Sequence, residues 1–353
     1  MPGLWDPVTV GHIKLRHRFA MAPMTRSRAN SDGTPGLLAP VYYRQRASFG
    51  LLITEGTQPS EDGQGYMNTP GVFTDAHVEG WRKVADAVHS AGGYLFIQLM
   101  HAGRMAHPDN TPHHRRPVAP SAIAPGESMF TKRGMLPIPA PRALSVSEIK
   151  ATVTDFRTAA ARAIASGADG VEIHGANGYL IQQFISANSN ARSDEYGGSL
   201  ERRARFALEV AEAVASEIGA ERTGVRLSPG SRLGGIDEGP QSGALYRHLV
   251  TRLAQLDLAY LHVVQGENAS LVKELRGIWP NAFLLNRVNR ALETAAGDVQ
   301  AGRADVVPIA RWALSNPDFV ERVRRGAALN PPDPATFFGG GAQGYIDYPT
   351  LPA

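Results

Sequence analysis

Eight short, mostly apolar runs, at 18–24, 51–54, 94–99, 170–173, 224–227, 260–264, 282–285 and 304–309, are separated by stretches with a helical apolar period. Runs of this length without strict alternation suit strands buried on both faces, and strands that alternate with helices pair in parallel. The repeat predicts an α/β chain folded as a (β/α)8 TIM barrel. A length of 353 residues admits two average domains or one large barrel. No linker divides the sequence, so the expectation is one barrel over 1–353.

Val8 to Leu15 alternates apolar and polar residues around Gly11, which predicts a hairpin closing the bottom of the barrel. Ser145 and Glu148 form a capping box, and Gly167 stands where a C-terminal cap belongs, so a helix is expected between them. The stretch at 104–144 has many prolines and neither helical nor strand period. It is too long for a simple connection and is read as a loop capping the active site after the third strand, with a hairpin near Arg133-Gly134.

Composition excludes several classes. No apolar run approaches the ~20 residues of a membrane span, and the N-terminus lacks the basic and apolar segments of a secretory signal. There is no cysteine, which rules out disulfide and thiol chemistry and fits a cytoplasmic enzyme. The formal charge of +3 is spread among acids along the chain, so no basic face points to nucleic acid. No metal site is expected.

The fourth run, Gly170 to Ile173, leads into His174, Asn177 and Tyr179. His174 falls at a strand's C-terminal end, where barrel chemistry is done, and one tight turn brings the other two polar tips towards it. Taken alone, His174 reads more readily as a satisfied core histidine than as a functional one. The sequence continues to Asn190-Ala-Arg-Ser-Asp-Glu-Tyr-Gly-Gly-Ser199. Together the cluster and this decapeptide resemble the old yellow enzyme family of flavin-dependent ene-reductases, and the resemblance runs from Leu4 to Pro349.

The resemblance implies FMN as cofactor, NAD(P)H as reductant and a small electron-poor alkene as substrate, an enone or nitroalkene. It implies that His174 and Asn177 donate hydrogen bonds to the substrate oxygen. Hydride then passes from flavin N5 to the β-carbon and Tyr179 protonates the α-carbon. It assigns Pro23, Met24, Thr25, Gly56, Gln98 and Arg226 to the flavin ring, and Asn289 and Arg311 to its phosphate. Arg226 within an apolar strand needs a partner, either the reduced flavin or a carboxylate such as Glu172. Met100 and Tyr345 are assigned to the substrate pocket. Tyr345 is equally read as packing that closes the barrel.

The pattern departs from the family at the phosphate end, where Val288 and Ala310 stand in place of glycines and Pro308 sits inside a strand. A β-branched residue held in a glycine conformation costs roughly 1–2 kcal/mol, and added methyl groups cost about 1–3 more. Together they weaken flavin binding by about two to three decades. An alternative therefore stands beside the ene-reductase reading: a flavin-independent enzyme using His174, Asn177 and Tyr179 for isomerisation, dehydration or cyclisation of an enone.

Overall fold

The computed structural model describes residues 1–266, 268–287 and 291–352. Its barrel strands are β1 (Phe19–Met21), β2 (Leu51–Ile53), β3 (Tyr94–Leu99), β4 (Gly170–Gly175), β5 (Thr223–Leu227), β6 (Tyr260–Gln265), β7 (Ala282–Arg287) and β8 (Val307–Ile309). All eight runs are strands. They pair in parallel in the order β7-β6-β5-β4-β3-β2-β1-β8. Helices lie between them, the arrangement expected of a TIM barrel. The first run, 18–24, yields only a three-residue strand, because Pro23 has no N–H to continue the ladder. Met24 and Thr25 are thereby released into the loop above β1.

The barrel closes between β7 and β8 through one bridge, Leu284 to Val306, in which the Leu285 amide donates to Val306 O at 3.2 Å. Val307 instead donates to Arg18 O and Ile309 O accepts from Ala22, so both face β1. Alternation then turns Pro308 towards β7, where its missing N–H ends the ladder. The two strands carry no further bridge among the described residues, and their C-terminal ends part. Pro308 thus costs one ladder bond and leaves a cleft.

The expected hairpin pairs Val8–Val10 with Ile13–Leu15 in antiparallel register. Its Val10, Ile13 and Leu15 pack with Ala20, Phe96 and Tyr260 at the bottom of the barrel. Each buried aliphatic chain there contributes about 1.5–3 kcal/mol. Gly11 has φ +55°, and a Cβ on it would meet Glu221 O at 2.0 Å, so a side chain there would push the plug out.

The helix between Ser145 and Gly167 runs Val146–Ala165, with both bonds of the capping box present. Its Phe156, Ala160 and Ala163 are buried, and Val153 and Ile164 are half-buried at the edge of the same face. After β3 the long loop carries a hairpin of Ser128–Thr131 and Gly134–Pro137. It arches over the C-terminal ends of the strands.

Candidate active site

The decapeptide that carries the resemblance turns out to be scaffold. Arg192 pairs with Asp194 at 2.6 Å and donates to the carbonyls of Pro120 and Leu144, at the root of the long loop. Asn190 donates to Phe184 O and Tyr196 O, and Ser199 caps the helix Leu200–Ile218. A Cβ on Gly197 would lie 2.2 Å from Arg192 O. The motif latches the loop to the barrel so that its hairpin sits over the site.

His174 and Arg226 are neighbours in the β4–β5 register, and Gln98 is paired with Glu172 across β3–β4. Glu172 is fully buried and accepts from the Gln98 amide at 2.7 Å, Tyr260 at 3.1 Å and His262 Nδ1 at 2.8 Å. Burial pushes the Glu172 carboxyl up, but His262, Arg226 and Gln98 outweigh it and hold its pKa below the usual value. His262 is lowered by burial, against the pull of Glu172, so it is the neutral donor to an anionic carboxylate.

Arg226 forms no salt bridge among the described residues, and its Nε is buried without a partner. The carboxylate alternative is therefore excluded as a direct pair, since Glu172 is occupied by other donors. His174 Nδ1 is likewise buried and unpartnered among the described residues. Burial, then Arg226 and His262, lowers the His174 pKa well below its ordinary value, so the ring is neutral at pH 7. Buried polar groups left without a partner call for a reason, and a bound ligand would supply one.

The turn after β4 sets the rest. Asn177 has φ +58° and its backbone N–H donates to Ser228 Oγ at 2.9 Å, which leaves the side-chain amide uncommitted by that bond. Gly178 follows at φ +83°, and a Cβ on it would meet Leu233 O at 2.3 Å. Asparagine tolerates this left-handed geometry and glycine is required for it. Tyr179 then begins the helix Leu180–Ile185 without capping it, which leaves its hydroxyl free to reach out. Its ring lies 5.1 Å from that of His174, edge to face, and its oxygen lies 3.2 Å from Tyr66 Oη. Burial, with Tyr66 adding, raises the Tyr179 pKa well above the usual phenol value, so it holds its proton at pH 7.

Two cavities meet at Ala310 and Arg311. The larger, about 750 Å³, reaches from Met24 and Thr25 past Tyr66 and Tyr179 to the hairpin's Met129 and Phe130. The smaller, about 360 Å³, runs from Asn177 and Arg226 into the cleft between β7 and β8. Thr25, Arg226 and Arg311 thus line adjoining cavities from three strand ends, while Gln98 lies in the strand between with its amide on Glu172. Pro23 is half-buried at the head of the same loop as Met24. Gly56 is required by Met100, whose Sδ would lie 2.5 Å from a Cβ there.

Met100 and Tyr345 were expected in the substrate pocket. Met100 is buried against Gly56 and, like His174 and Gln98, is not among the residues lining the two cavities. Tyr345 is 1% exposed, stacked on Tyr42 at 4.3 Å with the Arg26 and Arg28 guanidinium groups against its ring. It is packing that closes the barrel, and Phe338 of the same tail lines the cavity instead. Ala310 has φ −97° and ψ −103°, outside the positive-φ region that favours glycine. Val288 and Asn289 lie outside the described residues. Sequence reasoning did not find Tyr66, Met129, Phe130, Phe338 or Arg287, because each stands alone in its loop or strand end with no motif around it.

Residues 3–330 match the NADH:flavin oxidoreductase / NADH oxidase family. The chain belongs to this family. It is 43% identical over 359 residues to a probable flavin mononucleotide-dependent alkene reductase of Leishmania infantum, covering 98% of this chain and 96% of that one. It is 39% identical to 12-oxophytodienoate reductase 2 of Arabidopsis thaliana, covering 99% and 96%. Among solved structures it superposes on morphinone reductase in complex with tetrahydroNAD with TM-score 0.95 and 42% identity, covering 100% of this chain and 98% of that one. The old yellow enzyme homologue from Zymomonas mobilis gives TM-score 0.95 at 38% identity, covering 99% and 100%.

Proposed function

We propose that this flavin-dependent oxidoreductase reduces the activated C=C bond of a small enone or nitroalkene, with NAD(P)H as reductant. The observation that carries the reading is that Thr25 and Tyr179 line the larger cavity while Asn177 and Arg226 line the adjoining one, with the His174 ring edge to face against Tyr179 and the buried Arg226 Nε without a partner among the described residues. The residues present fit FMN. Thr25, Gln98 and Arg226 would hold the ring, with Pro23, Met24 and Gly56 shaping its seat, and Arg311 would meet the phosphate. When bound, the flavin supplies the hydride.

The chain's own residues do the rest. Neutral His174 and the Asn177 amide bind the substrate oxygen and draw electron density from the alkene. Tyr179, protonated at pH 7, delivers the proton to the α-carbon. The Arg226 cation balances negative charge that builds on the ring beside it. Met129, Phe130 and Tyr66 exclude water above the reacting atoms. Ala310 lies outside the positive-φ region, which leaves crowding by its methyl group as the objection at that position. A cytoplasmic setting, expected from the cysteine-free chain, belongs to the same proposal.

The absorption spectrum of the purified protein, followed by anaerobic stopped-flow of each half-reaction, tests it. Flavin should bleach with NAD(P)H and recover with an enone. Tyr179→Phe should slow only the recovery, by about 10²–10⁴-fold. A protein that binds no flavin, or a variant slowed equally in both halves, would defeat the assignment.

A further inference from the structure

The 360 Å³ cavity in the cleft between β7 and β8 holds more positive charge than the reading above requires. Arg226, Arg287 and Arg311 all line it, against one acid, Asp298. Arg287 ends β7 and is half-buried. Its Nη1 donates to Asp298 Oδ1 at 2.6 Å, and its Nε is buried with no partner among the described residues. Asp298 is itself divided, because Arg303 Nε also donates to Oδ1, at 2.7 Å. One carboxylate, 4% exposed, therefore serves two guanidinium groups and neutralises neither fully.

A buried arginine that is anchored on one side and open on the other is a preorganised anion receptor, since its fork keeps several donors in fixed directions. The position suits it. Phosphate in β/α barrels sits at the loops after the seventh and eighth strands, and Arg287 and Arg311 flank that gap. The cleft exists because Pro308 halts the ladder. Backbone N–H groups are the usual donors at such a seat, yet Pro308 has none and Ala310 adds a methyl group beside it.

We infer that Arg287, held in place by Asp298, is a second phosphate-binding arginine of this chain, which together with Arg311 clamps the phosphate monoester of FMN by side chains. The inference rests on the flavin reading of the site. It adds a ligand contact at a position to which no flavin role has so far been given.

The test is a comparison of FMN with riboflavin, which has the same ring and no phosphate, titrated into the deflavinated full-length protein by flavin fluorescence quenching. Arg287→Gln should weaken FMN by about tenfold to a hundredfold, the range for loss of a charge-assisted contact, and leave riboflavin unchanged. Arg287→Lys should recover part of the loss. Added inorganic phosphate should compete with FMN in the parent protein more strongly than in Arg287→Gln. Equal weakening of both flavins would make Arg287 a structural residue and overturn the inference, as would an unchanged FMN affinity. Failure of either flavin to bind the parent protein would instead remove the flavin reading, and this inference with it.

Discussion

Tyr66→Phe isolates a single atom of the proton-delivery machinery. Tyr66 Oη lies 3.2 Å from Tyr179 Oη, with the rings edge to face at 6.3 Å, so the phenylalanine keeps the packing and deletes one hydrogen bond. In the resting enzyme this is a bond between two neutral phenols, and either hydroxyl can donate. As Tyr179 gives up its proton, Tyr66 becomes the donor to a forming phenolate, a bond worth about 1.5–3 kcal/mol against about 0.5–1.5 for the neutral pair. A separation of 3.2 Å is long for O–H···O, whose mode is about 2.7–2.8 Å, so the lower end of each range applies. Only the difference between the two states, about 1 kcal/mol, reaches the barrier, and it is roughly fivefold in rate. Stopped-flow should show flavin reoxidation by an enone slowed about fivefold in Tyr66→Phe, with flavin reduction unaltered. The bond acts only as the proton leaves, so a change confined to substrate affinity, or a rate within twofold of the parent, would refute the reasoning.

Burial raises the Glu55 pKa to about 7 from 4.5, against the amides of Arg26 and Ser27 that its carboxylate accepts. The unfolded chain releases this proton first, so the contribution is fully present below about pH 4.5 and is lost as pH rises towards 7. The loss is on the order of 3 kcal/mol, and Glu55→Gln should raise Tm at pH 8 but not at pH 4.5; equal shifts at both would remove the titration from the account. His101 runs the other way: burial lowers its pKa to about 4, so its contribution is lost as pH falls from 6.5 to 4. Tyr345→Ala should cost about 3–5 kcal/mol of stability, as for other buried aromatics, whereas Tyr345→Phe should be near neutral, since no hydrogen bond of its hydroxyl is present among the described residues. A Tyr345→Phe variant of normal Tm but altered enone specificity would return this residue to the substrate pocket.

How much of this was legible in the sequence depended on how locally each feature is encoded. The eight strands were legible because burial on both faces leaves an apolar run, and His174, Asn177 and Tyr179 because they share one turn. The Asn190–Ser199 motif was legible as a match, but its latch work was not, since the partners Pro120 and Leu144 are distant in sequence. Tyr345 and Phe338 illustrate the limit: both are aromatics in the same glycine-rich tail, and only the stacking of Tyr42 on one of them decides which is buried. Arg287 was invisible because its role depends on Asp298, supplied by the helix Thr294–Gln300.

The charge layer inside the barrel explains why Arg226 remains available to a ligand. Three neutral donors, Gln98, Tyr260 and His262, satisfy Glu172, so the carboxylate stays ionised without direct contact with the guanidinium. Charges at that separation still attract, which lets Arg226 remain protonated in a site where burial lowers its pKa. A direct Arg226–Glu172 pair would have consumed the guanidinium's donors. Glu172→Gln should therefore do more than delete an anion. It would remove the long-range counter-charge and weaken the acceptor that Gln98, Tyr260 and His262 share, so a folded variant should bind anionic ligands more tightly at the Arg226 end. Titration with a phenol at a pH above its pKa reads this directly. Weaker phenolate binding in Glu172→Gln at unchanged Tm would mean that Glu172 orients Arg226 rather than balancing its charge.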